Sequence, residues 1–174
     1  MKKYPVNKLI VLLATGLVLR AFFYYHPPVN TLKVGDAAPA FAITLTDGKT
    51  LKSEELKGKP LVLFFYANWC PCSHNSAPLV QKAYTEYREA DVKFLSVGIQ
   101  DGESDLKDFA QRHQFSFYTG MDTAGKVSDV FGVVTTPTTI IVDKNWKISG
   151  LIVGQVKTMH AIEEKISEAV HGRV

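Results

Sequence analysis

The sequence predicts an α/β fold in which helices flank a central mixed β-sheet. The first observation is a continuous apolar run over residues 61–67, which is typical of a central strand covered on both faces. The second is a helical pattern over residues 73–87 that follows this run directly. The third is the alternation of strand and helix patterns farther along, which ends in an antiparallel hairpin before the last helix.

A β-hairpin is predicted ahead of the central strand. Residues 41–45 alternate in hydrophobicity, Asp47-Gly48 is a hairpin turn signal, and residues 50–51 return toward the first strand. Residues 53–56 then indicate a short helical turn that Gly58 closes.

The elements after the central strand alternate between helix and strand. Pro78 lies inside the helix predicted over residues 73–87 and is expected to kink it. Strands are predicted over residues 94–97, 138–142 and 147–153, with a turn over residues 143–145. Further helices are predicted over residues 104–113, 127–131 and 158–170.

The N-terminal residues 1–25 predict a hydrophobic helix that anchors the chain in a membrane. An apolar run over residues 9–19 follows three lysines, and apolar residues resume after Arg20. The whole stretch approaches the ~20 apolar residues of a membrane span. No convincing cleavage site follows it, which favours an uncleaved anchor over a cleaved export signal. The positive-inside rule then places residues 26–33, a stiff linker, and residues 34–174, a single domain, on the extracytoplasmic side.

The basic residues of the chain are concentrated at its start. Four of the 20 basic residues, namely Lys2, Lys3, Lys8 and Arg20, precede the first acidic residue, Asp36. The rest of the chain therefore has slightly fewer basic residues than its 17 acidic ones, although the net charge of the whole chain is +3. This distribution excludes a nucleic-acid partner, which needs a basic patch on the folded domain.

Both cysteines lie in the segment NWCPCS, residues 68–73, between the predicted central strand and the following helix. A helix N-terminus presents unpaired N–H groups and a partial positive charge, which favour a thiolate over a thiol. This placement indicates a redox or metal site. The alternative is that both cysteines pack in a core as small apolar residues. Outside the cytoplasm, an oxidising environment would let a disulfide persist.

Three motifs together are similar to those of one family. They are VGDAAPAF at residues 34–41 with DGK at 47–49, FYANWCP at 65–71, and TTPTTIIVD at 135–143. Over residues 34–170 the chain resembles the thioredoxin-fold redoxin family, in particular its TlpA/ResA-like membrane-anchored thiol-disulfide oxidoreductases. The resemblance implies a thioredoxin-like fold with an N-terminal β-hairpin extension. It also implies an enzyme without a cofactor, whose partners are exported protein thiols and disulfides and a membrane redox protein.

The resemblance further implies roles for individual residues. Cys70 matches the nucleophilic cysteine of the family, and Trp69 matches the aromatic residue that packs beside it. Pro137 matches a cis-proline that faces the cysteines, and the backbone before it pairs with an extended substrate. The supporting residues of the predicted site are Trp69, Pro71, Ser73, Thr136 and Pro137.

The sequence departs from this family at the second cysteine. The family usually carries Cys-x-x-Cys, whereas Cys72 comes one residue early and Ser73 occupies the usual resolving position. Phe64 stands where thioredoxins keep a buried acid, and Ser76 stands where ResA-like proteins often keep a glutamate. The usual proton relay is therefore not visible in the sequence.

We expect Cys70 to attack a substrate disulfide and Cys72 to resolve the mixed disulfide. Two turned residues at this spacing have Cα atoms within the roughly 4.4–6.8 Å that a disulfide tolerates, but their Cβ directions predict strain. A strained bond is more easily reduced, so we expect a couple more oxidising than that of thioredoxin at about −270 mV. If Cys72 cannot reach, Cys70 acts alone and Ser73 hydrogen-bonds its sulfur.

The first alternative function is a thiol peroxidase. Peroxiredoxins place a Pro-x-x-x-Thr pattern before the reactive cysteine, and the threonine binds the peroxide. Leu63 and Ala67 occupy those two positions here.

The second alternative is a Cu(I) metallochaperone of redoxin fold that uses Cys70, Cys72 and His74, because soft thiolates and an imidazole suit Cu(I). Copper chaperones of this fold usually add a distant histidine before the cis-proline, and residues 120–136 contain none. In the absence of a metal role, His74 is expected to be solvated and His113 to lie on the surface.

Overall fold

The computed structural model describes residues 8–25 and 31–172, and the chain divides into two units, residues 1–30 and residues 31–174. In the first unit, α1 spans Lys8–Tyr25, so a helix is present where the sequence predicts one. Among the described residues, no helix has the length and apolar character needed to cross a membrane. The predicted transmembrane span is therefore not supported by the structure. Residues 26–30 of the predicted linker lie outside the described residues.

The second unit alternates strands and helices as predicted. Its strands are β1 (Ala42–Leu45), β2 (Thr50–Lys52), β3 (Leu61–Tyr66), β4 (Lys93–Ile99), β5 (Tyr118–Asp122), β6 (Thr138–Val142) and β7 (Ile148–Val153). Its helices are α2 (Pro71–Tyr87), α3 (Glu103–Arg112), α4 (Lys126–Val130) and α5 (Met159–His171), and short 3-10 turns follow β2, α2 and β5.

One mixed sheet contains all seven of these strands in the order β2-β1-β5-β4-β3-β6-β7. The three central strands β3, β4 and β5 are parallel. The N-terminal hairpin β1–β2 adds antiparallel to β5, and the C-terminal hairpin β6–β7 adds antiparallel to β3. The predicted mixed sheet with a hairpin extension and a closing hairpin is thereby confirmed.

The central strand β3 is buried along its whole length because both faces of the sheet are covered. Successive side chains of a strand point to opposite faces. Leu61, Leu63 and Phe65 therefore join one hydrophobic cluster, while Phe64 and Tyr66 join the cluster on the other face, beneath α2, α3 and α5. This two-sided burial fixes the carboxyl end of β3, where the cysteines follow.

The sequence pattern did not predict β5, which lies between β4 and β1. Its centre is Gly120, and glycine is depleted in strands. A Cβ at this position would lie 2.6 Å from Cδ1 of Ile43 on the neighbouring strand β1. The glycine therefore allows β1 to pack closely against β5, and this requirement comes from a residue far away in the sequence.

Candidate active site

Cys70 lies at the junction between β3 and α2, where it is the N-cap residue of the helix with extended backbone angles. Pro71 is the first residue of α2. This position suits proline, which lacks a backbone N–H, because an N–H here would have no partner within the helix. The carbonyl of Cys70 accepts hydrogen bonds from the N–H groups of Ser73 at 3.0 Å and His74 at 3.4 Å. The sequence-predicted placement of the thiol at a helix N-terminus is confirmed.

The sulfur of Cys70 is surrounded by hydrogen-bond donors. Its partial burial acts to raise the pKa of the thiol, but the N–H and hydroxyl of Ser73 and the N–H and thiol of Cys72 together bring the pKa below its ordinary value. These donors stabilise the thiolate because they point at the charge that forms on deprotonation. Cys70 is half-buried and Cys72 is exposed, and both are present as free thiols.

Ser73 and Cys72 differ in their surroundings. Ser73 is fully buried, and its Oγ also accepts a hydrogen bond from the N–H of Ala67 at 3.3 Å. The hydroxyl therefore connects the end of β3 to the Cys70 sulfur. Cys72 is exposed, so it is more accessible to solvent than Cys70, which is half-buried.

The loop before β6 faces the nucleophile. The Thr136–Pro137 peptide bond is cis, as the sequence motif predicts. The Cys70 thiol lies 3.6 Å from the carbonyl oxygen of Thr136, to which it donates. The loop is held by Thr138, whose Oγ1 donates to the carbonyl of Thr135 at 2.8 Å, and by the N–H of Gly154, which donates to the carbonyl of Pro137 at 2.8 Å.

Trp69 forms one wall of an open groove of about 940 Å³ beside the cysteines. Its side chain is 66% exposed, so it contributes little to the core. The lining also includes Val134, Thr136 and Asp129 of α4. The groove therefore combines apolar and polar surface next to the Thr136 carbonyl, a combination that suits an extended polypeptide segment.

The two positions of the missing proton relay are occupied by uncharged, fully buried side chains. Phe64 packs against the ring of Tyr66 at a centroid distance of 5.8 Å. Ser76 donates from its Oγ to the carbonyl of Cys72 at 2.8 Å and accepts from the N–H of Val156 at 3.0 Å. Ser76 therefore serves to connect α2 to the segment before α5.

A carboxylate that the sequence analysis did not single out supports the cysteine loop from the other side. Oδ2 of Asp101 accepts the N–H of Asn68 at 2.7 Å, and Asp105 accepts from the Asn68 side chain at 3.4 Å. Burial raises the pKa of Asp101 above its usual value; the Asn68 N–H acts against this shift, nearby Asp105 adds to it, and His74 opposes it. Nothing in the local sequence indicated this contact, since Asp101 follows β4 and Asn68 follows β3.

The histidines lie differently from the sequence-based expectation. His74 and His113 are both half-buried, and the two rings contact each other, with 2.8 Å between Nδ1 of His74 and Nε2 of His113. Nε2 of His74 lies 2.7 Å from the carbonyl oxygen of Asn68. Predicting a solvated His74 and a surface His113 was therefore wrong, because packing of α3 against α2 brings the two rings together.

This contact also removes the third ligand of the copper alternative. Both ring nitrogens of His74 are engaged away from the two thiols. Within residues 8–25 and 31–172, no group of three or more His, Cys, Asp or Glu side chains is arranged to hold a metal ion. At the positions of the peroxidase motif, Leu63 and Ala67 are fully buried and offer no hydroxyl for a peroxide.

Comparisons with known proteins agree with this geometry. A sequence model described as the AhpC/TSA family matches residues 34–150. The chain is 26% identical to the thiol-disulfide oxidoreductase ResA of Bacillus cereus over 161 residues, which covers 92% of each chain. A solved structure of a putative thiol:disulfide interchange protein DsbE from Chlorobium tepidum superposes with a TM-score of 0.74 at 26% identity, over 80% of this chain and 99% of that one. The structure of MTB dsbF in mixed oxidized and reduced forms gives a TM-score of 0.69 at 28% identity, over 74% and 94%.

Proposed function

The chain belongs to the AhpC/TSA family, and we propose that it works in this family as a thiol-disulfide oxidoreductase that exchanges disulfides with exported proteins through Cys70. One observation carries the proposal: the Cys70 sulfur lies at a helix N-terminus, among donors that lower its pKa, and opposite the Thr136 carbonyl. The names of the ResA and DsbE relatives support the same chemistry.

The first step is attack of the Cys70 thiolate on one sulfur of a substrate disulfide. The substrate S–S bond breaks, a mixed disulfide forms on Cys70, and the departing substrate sulfur takes up a proton. The N–H and hydroxyl of Ser73 hold the attacking sulfur in its thiolate form before this step. An extended substrate segment lies along the groove beside Trp69, with its backbone facing Thr136.

The second step is attack of Cys72 on the Cys70 sulfur. The Cys72 thiol loses its proton, the mixed disulfide breaks, and the second substrate thiol leaves. The substrate gains two electrons and two protons, and the protein is left with a Cys70–Cys72 disulfide. Its reduction requires a dithiol partner, for which we propose a membrane redox protein. The reverse sequence oxidises a substrate dithiol by the same chemistry.

The proposed compartment is the extracytoplasmic side of a membrane, where disulfides persist. The basic and apolar composition of residues 1–25 supports an export or anchoring role for this segment. Fractionation of cells that produce the full chain, with protease treatment of intact cells or spheroplasts, tests both the compartment and the anchor. Recovery of the protein with the cytoplasmic fraction would contradict the proposal.

Trapping tests the chemistry and the substrate together. A Cys72→Ser variant can form the mixed disulfide but cannot resolve it, so it should accumulate covalent complexes that mass spectrometry identifies. Cys70→Ser is the matched control and should trap nothing and lose disulfide reduction. Full activity of Cys70→Ser would refute the assignment of the nucleophile.

A further inference from the structure

A chain of hydrogen bonds lies behind the nucleophile, between α2 and α3. Nε2 of His113, at the end of α3, lies 2.8 Å from Nδ1 of His74, and Nε2 of His74 lies 2.7 Å from the carbonyl oxygen of Asn68. Both imidazoles pack against the ring of Phe109, with centroid distances of 4.8 Å and 4.5 Å. The function proposed above does not use either histidine.

The hydrogen-bond partners determine where the protons of this chain lie. A backbone carbonyl can only accept, so Nε2 of His74 must carry a hydrogen. In a neutral His74 the other nitrogen, Nδ1, is then bare, and Nε2–H of His113 donates to it. One additional proton can be accommodated, because a charged His74 donates from Nδ1 to a bare Nε2 of His113. A second additional proton would place two N–H groups opposite each other and break the contact.

The carbonyl at the end of this chain belongs to the turn that carries the nucleophile. Asn68 is two residues before Cys70, and the N–H of Cys70 donates to the carbonyl of Ala67 at 3.0 Å. Asp101 fixes the N–H of Asn68 and Asp105 contacts its side chain, so His74 fixes the remaining polar group of the Asn68 backbone. The position of Cys70 therefore depends on contacts made by α3.

We propose that His74 and His113 form a positioning pair that holds the Asn68–Cys70 turn in the geometry in which Cys70 reacts, and that double protonation of the pair releases this turn at acid pH. The proposal deepens the function proposed above and rests on it for its biological meaning. Neither histidine touches a substrate in this scheme, since both act through the backbone of Asn68. Phe64 and Ser76, at the two positions of the missing proton relay, carry no charge. The histidine pair can change its charge with pH, and it is connected to the nucleophile through the backbone of Asn68.

Burial and two basic neighbours favour the neutral form of His113. Burial lowers the pKa of His113, and the proximity of His74 and of Arg112 on α3 lowers it further. The carboxylates of Asp101 and Asp105 face Asn68 from the segment that begins α3. From β3 the buried hydroxyl of Tyr66 faces the same region, and it has no hydrogen-bond partner among the described residues.

The test measures the rate at which iodoacetamide alkylates Cys70 between pH 5 and pH 9, in a Cys72→Ser background of the full chain. His113→Leu removes the donor, and His113→Gln keeps an N–H donor that does not titrate. His160→Gln, an exposed position on α5, is the matched control. Each rate constant is divided by the fraction of Cys70 that is present as thiolate, which the absorbance at 240 nm gives. The corrected rate constant then reports the geometry of the reactive sulfur and not its ionisation.

We expect His113→Leu to lower the corrected rate constant by about fivefold at neutral pH, the factor that corresponds to one ordinary hydrogen bond. His113→Gln should recover most of this loss and should also remove the additional fall in the corrected rate that the proposal predicts for the unsubstituted protein at acid pH. A merely structural pair would change thermal stability but neither the corrected rate nor its pH profile, and that result would overturn the proposal. If His113→Leu fails to fold, the profile of His113→Gln decides alone: an unchanged acid fall refutes the pair.

Reduction of a protein disulfide is measured in parallel, and for this assay the protein retains both cysteines. Alkylation does not require a disulfide substrate, so the two proposals fail separately. An acid fall that is the same in His113→Gln as in the unsubstituted protein, with intact turnover, refutes the positioning pair, whereas absent turnover with the expected alkylation profiles refutes the function and supports the pair.

Discussion

Replacement of Ser73 by alanine separates the electrostatic role of this residue from its structural role. Ser73 is fully buried, its hydroxyl is one of the groups that lower the pKa of Cys70, and its Oγ accepts the N–H of Ala67 at 3.3 Å. Ser73→Ala removes both contacts without adding volume. The Cys70 thiolate loses a charge-assisted donor, and a buried N–H loses its acceptor, so both the pKa and the stability should change.

The magnitudes follow from these two contacts. A hydrogen bond to a charged group contributes about 1.5–3 kcal/mol when it is shielded from water. Cys70 is only half-buried, so the lower end applies, and loss of this donor should raise the pKa of Cys70. The unpaired N–H of Ala67 should lower the free energy of unfolding by about 1–3 kcal/mol.

Two measurements and one control variant test this prediction. The thiolate absorbance at 240 nm against pH gives the pKa of Cys70 in a Cys72→Ser background, and urea unfolding gives the stability. Ser76→Ala is the control because Ser76 is also a fully buried serine of α2, and it accepts the N–H of Val156 at 3.0 Å without contacting the Cys70 sulfur. It should lose similar stability and leave the pKa of Cys70 unchanged. Equal pKa shifts in the two variants would refute the reasoning.

Three further predictions concern the groove, the histidine pair and the disulfide. Trp69→Ala should change the free energy of unfolding by less than about 0.5 kcal/mol because the side chain is 66% exposed. It should raise KM for a protein disulfide, and an unchanged KM would contradict the role of the groove. Because folding lowers the pKa of His113, the unfolded chain binds this proton more readily, so the stability is fully present above about pH 6.5 and falls below it by at most about 1.4 kcal/mol per pH unit. Urea midpoints that fall equally in His113→Gln would argue against this assignment. Titration against glutathione should place the reduction potential of the Cys70–Cys72 couple above about −270 mV, the thioredoxin value. A lower potential would contradict the expectation that the one-residue spacing strains this disulfide.

The parts of the site that were predictable are those set by neighbours in the chain. An apolar run long enough for a buried strand, then two cysteines and a proline at the first helical position, defines the strand-to-helix junction at Cys70. The cis bond before Pro137 was likewise indicated by the motif that surrounds it. The polar support of the cysteine turn was not predictable, because Asn68 meets Asp101 and His74 meets His113 only after α3 packs against α2.

The sequence by itself determined the chemistry at the end of β3, since the thiol, the helix that follows it and the proline between them are consecutive or nearly so. Only the tertiary structure decided how that thiol is held. His113 lies 39 residues from His74, and Asp101 lies 33 residues from Asn68, and no local periodicity relates residues so far apart. Their contact arises because β4 lies beside β3 in the sheet, which places the segments that follow the two strands next to each other.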